Sequence, residues 1–164
     1  MRIYLASSWR NPYQAETLLA LRAAGHEVYD FKHPTPGNAG FAWHNCDPNL
    51  REDLTADRMR RVLDHPIAEE GFQFDFGAMK WAQACVLLLP CGLSAHMEAG
   101  WMAGARKPVA ILAREIKEPE LMYKLFDDYH ILPPVLQVSP STPLWDNLEC
   151  VLSFLRDASP RHQC

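Results

Sequence analysis

The chain lacks any C-x-x-C pair, any basic run, any internal repeat and any apolar stretch of membrane length. Each absence removes a class. Five cysteines (Cys46, Cys85, Cys91, Cys150, Cys164) without paired spacing suggest neither a zinc site nor a disulfide framework, so a reducing cytoplasm is the default compartment. A formal net charge of −4 without a basic stripe argues against a nucleic-acid polymer as partner. No apolar run approaches the ~20 residues that span a bilayer, so no membrane role is expected. Met1-Arg2 leads at once into a strand, and no secretory segment is predicted. Nothing calls for a metal or a cofactor.

What remains is an ordinary globular composition, 48% apolar and 22% charged in 164 residues. That length predicts a single domain, residues 1–158, with a loose tail at 159–164. Its most informative stretch is PCGLSAHMEAGWMAGARKP, residues 90–108. Ala84–Leu89 before it is short, apolar and stopped by Pro90, as a strand buried on both faces would be. Pro90, Cys91 and Gly92 turn the chain. Ser94 is the expected N-cap of a helix at Ala95–Arg106, and Val109–Leu112 reads as the next strand. Glu98 lies about one turn into that apolar helix. Long helical side chains point back toward the N-terminus, here toward the carboxyl ends of the strands, where α/β proteins bind ligands. A carboxylate so placed is costly unless it is paired or has a task.

The rest of the chain alternates. Ile3–Ala6 reads as a strand and Ser7–Arg10 as a loop. Asn11-Pro12 reads as an N-cap and N1 pair opening a helix to Ala24, stopped by Gly25. Glu27–Phe31 is a second strand. Residues 32–49 form a long loop punctuated by Pro34, Pro36, Gly37, Gly40 and Pro48, in which Phe41 and Trp43 anchor the loop or stack on a ligand. Helices are predicted over Leu50–Leu63 and Ile67–Gln83, the second interrupted near Gly71. A short helix over Pro119–Asp127, an edge strand or loop over Ile131–Val138 and a closing helix over Leu144–Leu155 complete the pattern. The alternation predicts an α/β fold, a flavodoxin-like or Rossmann-like three-layer sandwich around a parallel sheet of about five strands.

Ile3-Tyr4-Leu5-Ala6, Phe74-Asp75-Phe76-Gly77-Ala78-Met79, and the helix bearing Glu98-Ala99-Gly100 followed by Lys107-Pro108 together resemble the nucleoside 2-deoxyribosyltransferase-like family, over most of residues 1–112. The resemblance implies a flavodoxin-like fold and cleavage of a nucleoside N-glycosidic bond, by transferases or by hydrolases of nucleoside 5′-monophosphates. It implies Glu98 as the carboxylate that attacks the anomeric carbon. Asp75 would be the acid near the base, and Tyr4 the tyrosine that orients the glutamate. Arg10 matches an arginine that meets phosphate in the monophosphate hydrolases, whereas Trp9 is closer to the transferases.

The chemistry of the residues agrees. Breaking a C–N glycosidic bond passes through an oxocarbenium-like state that a carboxylate stabilises, while a second group protonates the leaving base. Asp75, between Phe74 and Phe76, reads as an acid kept protonated by apolar neighbours, or as a helix cap or salt-bridge partner. Tyr4 reads as a site residue or as a core aromatic. Ser7, Ser8, Arg10 and Ser94 would gather beside a helix N-terminus and hold an anion. His96 reads as a surface or interface residue. The segment Pro90–Ser94 carries no acid, which favours hydrolysis over transfer. A non-enzymatic nucleotide-binding module on the same fold is the alternative. The apolar Glu98 helix, or the one at 67–83, is expected to pair copies into a homodimer or higher oligomer.

Overall fold

The computed structural model describes residues 1–50, 54–114, 119–131 and 149–157. The chain divides into two compact units, one of Met1–Tyr29 with Ala82–Cys164, the other of Asp30–Trp81.

The first unit holds a five-stranded sheet of order β2-β1-β3-β4-β5. Its strands are β1 (Arg2–Ala6), β2 (Glu27–Tyr29), β3 (Ala84–Leu88), β4 (Val109–Ala113) and β5 (Asp128–Ile131), with every pairing parallel. That order reverses direction between β1 and β3, which defines the flavodoxin-like doubly wound topology. Tyr4 stands opposite Tyr29 on one side and Cys85 on the other. The uniform apolarity of 84–88 follows from position: β3 lies mid-sheet, and all five of its residues are buried.

Helices cover both faces. α1 (Gln14–Ala23) and α5 (Glu149–Asp157) share a core with one face, where Leu18, Leu21, Val151 and Leu155 meet Ile3, Leu5, Val86 and Leu112. α4 (Leu93–Gly104) packs on β1, β3 and β4 through Ala95, Ala99 and Met102, over the face that carries Tyr4, Cys85 and Ile111. Gly25, at φ +85°, ends α1 in the left-handed conformation that favours glycine.

The second unit holds the loop 30–50, with one 3-10 turn at Trp43–Asn45, then α2 (Ala56–Leu63) and α3 (Pro66–Trp81). Thr55 caps α2, accepting from the Arg58 N–H at 3.2 Å. Arg58 in turn grips Asp47 through two N–H···O bonds of 2.6 and 2.7 Å, and this fork holds the Asp47 carboxyl below its usual range.

Several expectations are corrected. The first helix starts at Gln14 with Tyr13 as its cap residue, and Asn11 stands ahead of it, its side-chain oxygen accepting from the Tyr13 N–H while its amide donates to the Leu88 and Pro90 carbonyls. β2 ends at Tyr29, two residues early. α2 begins at Ala56 rather than at Leu50. α3 runs unbroken through Gly71, where Phe41 approaches so closely that a Cβ would lie 2.9 Å from its ring. Phe41 also meets Trp43 edge-on at 4.8 Å, so it anchors the loop. α4 is capped by Gly92, and Ser94 is already inside the helix. The short helix after β4 is a 3-10 segment at Leu121–Leu125. The edge strand falls at Asp128–Ile131, upstream of Pro133-Pro134, which lie outside the described residues. So do most of Ile131–Val138, the first turn of the closing helix and the 159–164 tail. Among the described residues no helix is long and apolar enough to cross a membrane.

Candidate active site

The carboxyl ends of β1 and β3 lie side by side in the first unit, and the loops that leave them are stitched together. The Asn11 side-chain amide donates to the Leu88 carbonyl at 3.2 Å and to the Pro90 carbonyl at 3.0 Å. Its own oxygen accepts from the Tyr13 N–H at 2.8 Å. Asn11 is buried, and these bonds satisfy it. Ser7 Oγ donates to the same Leu88 carbonyl at 3.4 Å, and Ser8 Oγ accepts from the Arg10 N–H at 3.2 Å. The 7–11 loop is therefore held against the turn that opens α4. Arg10 and Trp9 extend from it into solvent.

Glu98 lies in the second turn of α4, half-buried. Its surroundings register its charge. Burial, reinforced by the Glu98 carboxylate, pushes the Cys85 thiol far above its ordinary range. The same two causes push Cys91 up to about 12. Cys85 is the ladder partner of Tyr4, so Tyr4 and Glu98 both neighbour one thiol. Tyr4 is 2% exposed, with its ring stacked on Tyr29 at 5.7 Å. Ser94 is exposed in the first turn of α4, at the positive end of the helix dipole. The first unit thus carries Tyr4 on β1, Ser7, Ser8, Trp9 and Arg10 on the loop that leaves it, and Ser94 and Glu98 on α4.

Asp75 belongs to the second unit. It is half-buried on α3 and borders a small pocket with Phe31, Asn38, Phe41, Glu70 and Phe74. Phe76 beside it stacks on Phe72 at 5.2 Å and carries Lys80 above its ring at 4.6 Å.

Three residues at the carboxyl edge escaped the sequence reading. Asn11 was expected to cap a helix. His96, read from the sequence as a surface or interface residue, is half-exposed, and its ring stacks 5.8 Å from that of Tyr123 with Nε2 2.9 Å from the Tyr123 hydroxyl. Nothing local announces Tyr123, because its partner is 27 residues away. Lys107, part of the Lys-Pro motif, lies at the opposite edge. Its ammonium donates to the Ala82 carbonyl at 2.6 Å.

Parallel order and helices on both faces define a doubly wound α/β protein, a class in which ligands bind at the carboxyl edge of the sheet, where Glu98 is the candidate carboxylate. No protein-family model matches the chain, and no curated protein matches it by sequence. Among solved structures its fold is similar to that of the 2-deoxyribosyltransferase of Bacillus psychrosaccharolyticus, at 20% identity and a TM-score of 0.51 over 79% of this chain and 85% of that one. It is similar too to CMP N-glycosidase BcmB of Clostridium botulinum, at 15% identity and a TM-score of 0.52 over 91% of this chain and 99% of the other. The likeness is one of fold, and it is the fold implied by the motifs of residues 1–112.

Proposed function

We propose that this protein is an enzyme that cleaves the N-glycosidic bond of a nucleoside or, preferentially, its 5′-monophosphate, with water as acceptor. The observation that carries the reading is the half-buried Glu98 carboxylate in the second turn of α4, on the helix that packs over Tyr4 and Cys85, with its charge adding to burial in raising Cys85 and Cys91. Both fold relatives named above act on such bonds by their names, one as a glycosidase of CMP and one as a deoxyribosyltransferase.

In this reading a Glu98 oxygen attacks C1′ as the C–N bond opens. The bonding pair leaves with the base, and a general acid, the role that the resemblance implies for Asp75, protonates the departing nitrogen. Water then attacks C1′ of the glycosyl ester and gives a proton to the conjugate base of that acid, which releases the sugar and restores Glu98. Tyr4 orients Glu98. Ser7, Ser8, Arg10 and Ser94 receive the phosphate, aided by the α4 N-terminus, and Trp9 borders the substrate.

The test is incubation with a panel of nucleosides and their monophosphates, with free base followed by chromatography. Release of base from monophosphates supports the reading, and no release from any member of the panel overturns it. The transferase reading has its own arm: a second base supplied in excess would appear as a new nucleoside.

The same helix supports a proposed homodimer. Leu93, Met97 and Trp101 recur every fourth residue on α4, and all are exposed. A Cβ at Gly100 or Gly104 would meet nothing within 4 Å, so that flank is flat and open. A second copy laid on this uncharged stripe meets no like charge. Sedimentation at micromolar concentration is expected to show a dimer, and Met97→Glu a monomer.

A further inference from the structure

His96 makes contacts that a surface histidine does not need. Its Nδ1 lies 3.0 Å from the Gly92 carbonyl oxygen and 3.5 Å from Cys91 Sγ. Its Nε2 lies 2.9 Å from the Tyr123 hydroxyl. A carbonyl oxygen only accepts, so the Nδ1 that faces Gly92 carries the proton. In the neutral ring Nε2 is then the acceptor, and the Tyr123 hydroxyl donates to it. Tyr123 is itself fixed. It is buried, its ring stacks on Phe126 at 5.6 Å, and its carbonyl accepts from the Tyr129 hydroxyl. Gly92, the cap residue of α4, has no side chain with which to cap the helix. The turn leading into the Glu98 helix is thus tied down by His96. Cys91 in that turn is close enough to Glu98 to feel its charge.

We propose that His96 is a positioning residue for Glu98. Tyr123 holds its ring as the Nδ1–H tautomer, and the ring clamps the Cys91–Gly92 turn that opens the helix carrying Glu98. The proposal rests on Glu98 being the reactive group, as argued above. Catalytic geometry is sensitive to such support, since a displacement of about 1 Å costs on the order of 10²-fold in rate.

Three measurements test it. Long-range ¹H–¹⁵N correlation spectra of the intact protein read the tautomer directly. A protonated Nδ1 with a bare Nε2 is expected in the parent, shifting toward the Nε2–H form in Tyr123→Phe. A parent in the Nε2–H form overturns the proposal. In base release, His96→Ala is expected to lower kcat by roughly 10- to 100-fold with little change in KM, the pattern of a lost transition-state alignment. His96→Asn, whose amide reaches toward Gly92 from the Nδ1 position, should recover most of the loss, while His96→Gln should not. An unchanged kcat in both His96→Ala and Tyr123→Phe overturns it. The third arm needs no substrate. Alkylation of Cys91 at pH 8, read by mass spectrometry of its peptide, should be about tenfold faster in His96→Ala, because a freed turn exposes the half-buried thiol and carries it away from Glu98. If the parent released no base from any substrate while the tautomer and alkylation results held, the reaction assigned above would fall and the clamp would stand. An alkylation rate equal to the parent's would sink the clamp.

Discussion

At the amino edge of the sheet, polar side chains close on the backbone. Gln83 accepts from the Arg2 N–H at 2.9 Å, Asp127 accepts from the Val109 N–H at 2.9 Å, and Lys107 donates to the Ala82 carbonyl at 2.6 Å. At the carboxyl edge, Asn11 and Ser7 do similar stitching, yet Arg10 and Ser94 are left facing solvent and Glu98 is half-buried beside two thiols. The difference teaches where stability is made and where it is given up. An edge whose polar groups are all spent on backbone holds strands in register. An edge that half-buries a carboxylate carries a desolvation cost and places that group where chemistry can use it.

Variants at the two edges should therefore fail differently. The largest effect is expected at Glu98: Glu98→Ala should slow base release at least ~10³-fold, in the range of lost nucleophiles, and Glu98→Gln nearly as much, with thermal stability held. Base release at the parent rate would refute the mechanism. Next comes Arg10→Ala, expected to raise KM for monophosphates about tenfold, the equivalent of ~1.4 kcal/mol, and to leave nucleosides almost untouched. Equal losses on both substrates would remove the phosphate assignment.

The amino edge should show the opposite signature. Lys107→Met leaves the Ala82 carbonyl without its donor and should cost about 1–3 kcal/mol in chemical denaturation, with kcat unchanged. A loss of kcat at constant stability would erase the contrast. Arg106, just past the end of α4, has φ 59°, which an L side chain adopts at a cost. Arg106→Gly should stabilise by about 1 kcal/mol, read as a higher denaturation midpoint.

The smallest effect is a pH dependence. Burial first, then the Met1 amino group and Arg156, lower the pKa of His26 from its ordinary 6.5. The folded chain thus favours the neutral ring. Its contribution is complete above the unfolded value and is lost as pH falls through 6.5 toward the folded pKa. Melting temperature should decline on that acid side, and His26→Gln should flatten the decline. A variant curve that tracks the parent would show that other groups set it.

What was legible in the sequence follows the same division. The strands at 3–6, 84–89 and 109–112 could be read because burial on both faces leaves an unbroken apolar run. The Glu98 helix stood out because a lone carboxylate in an apolar segment is expensive. The caps differ from the sequence reading at both places: α4 starts at Leu93, one residue before Ser94, and Asn11, which does bond the Tyr13 N–H, also finds acceptors 77 and 79 residues away that no local pattern announces. Gly71 reads as a breaker locally, whereas in the fold it makes room for Phe41 from thirty positions earlier. Asp75 is reached mainly by resemblance to known motifs, with Phe74 and Phe76 as its only local signal; the pocket it borders with Phe31, Asn38, Phe41 and Glu70 is built from residues as far back in the chain as Phe31.

The central place of β3 has an experimental use. Its five residues are buried and it is flanked on both sides by parallel partners. Amides in such a strand trade hydrogen for deuterium only when the entire fold opens. The exchange rate at Ala84–Leu88 is thus a meter of global stability that needs no denaturant. Amides in the 7–11 loop report only local opening. Dissolving any variant above in heavy water and reading the two sets side by side would separate damage to the site from damage to the fold.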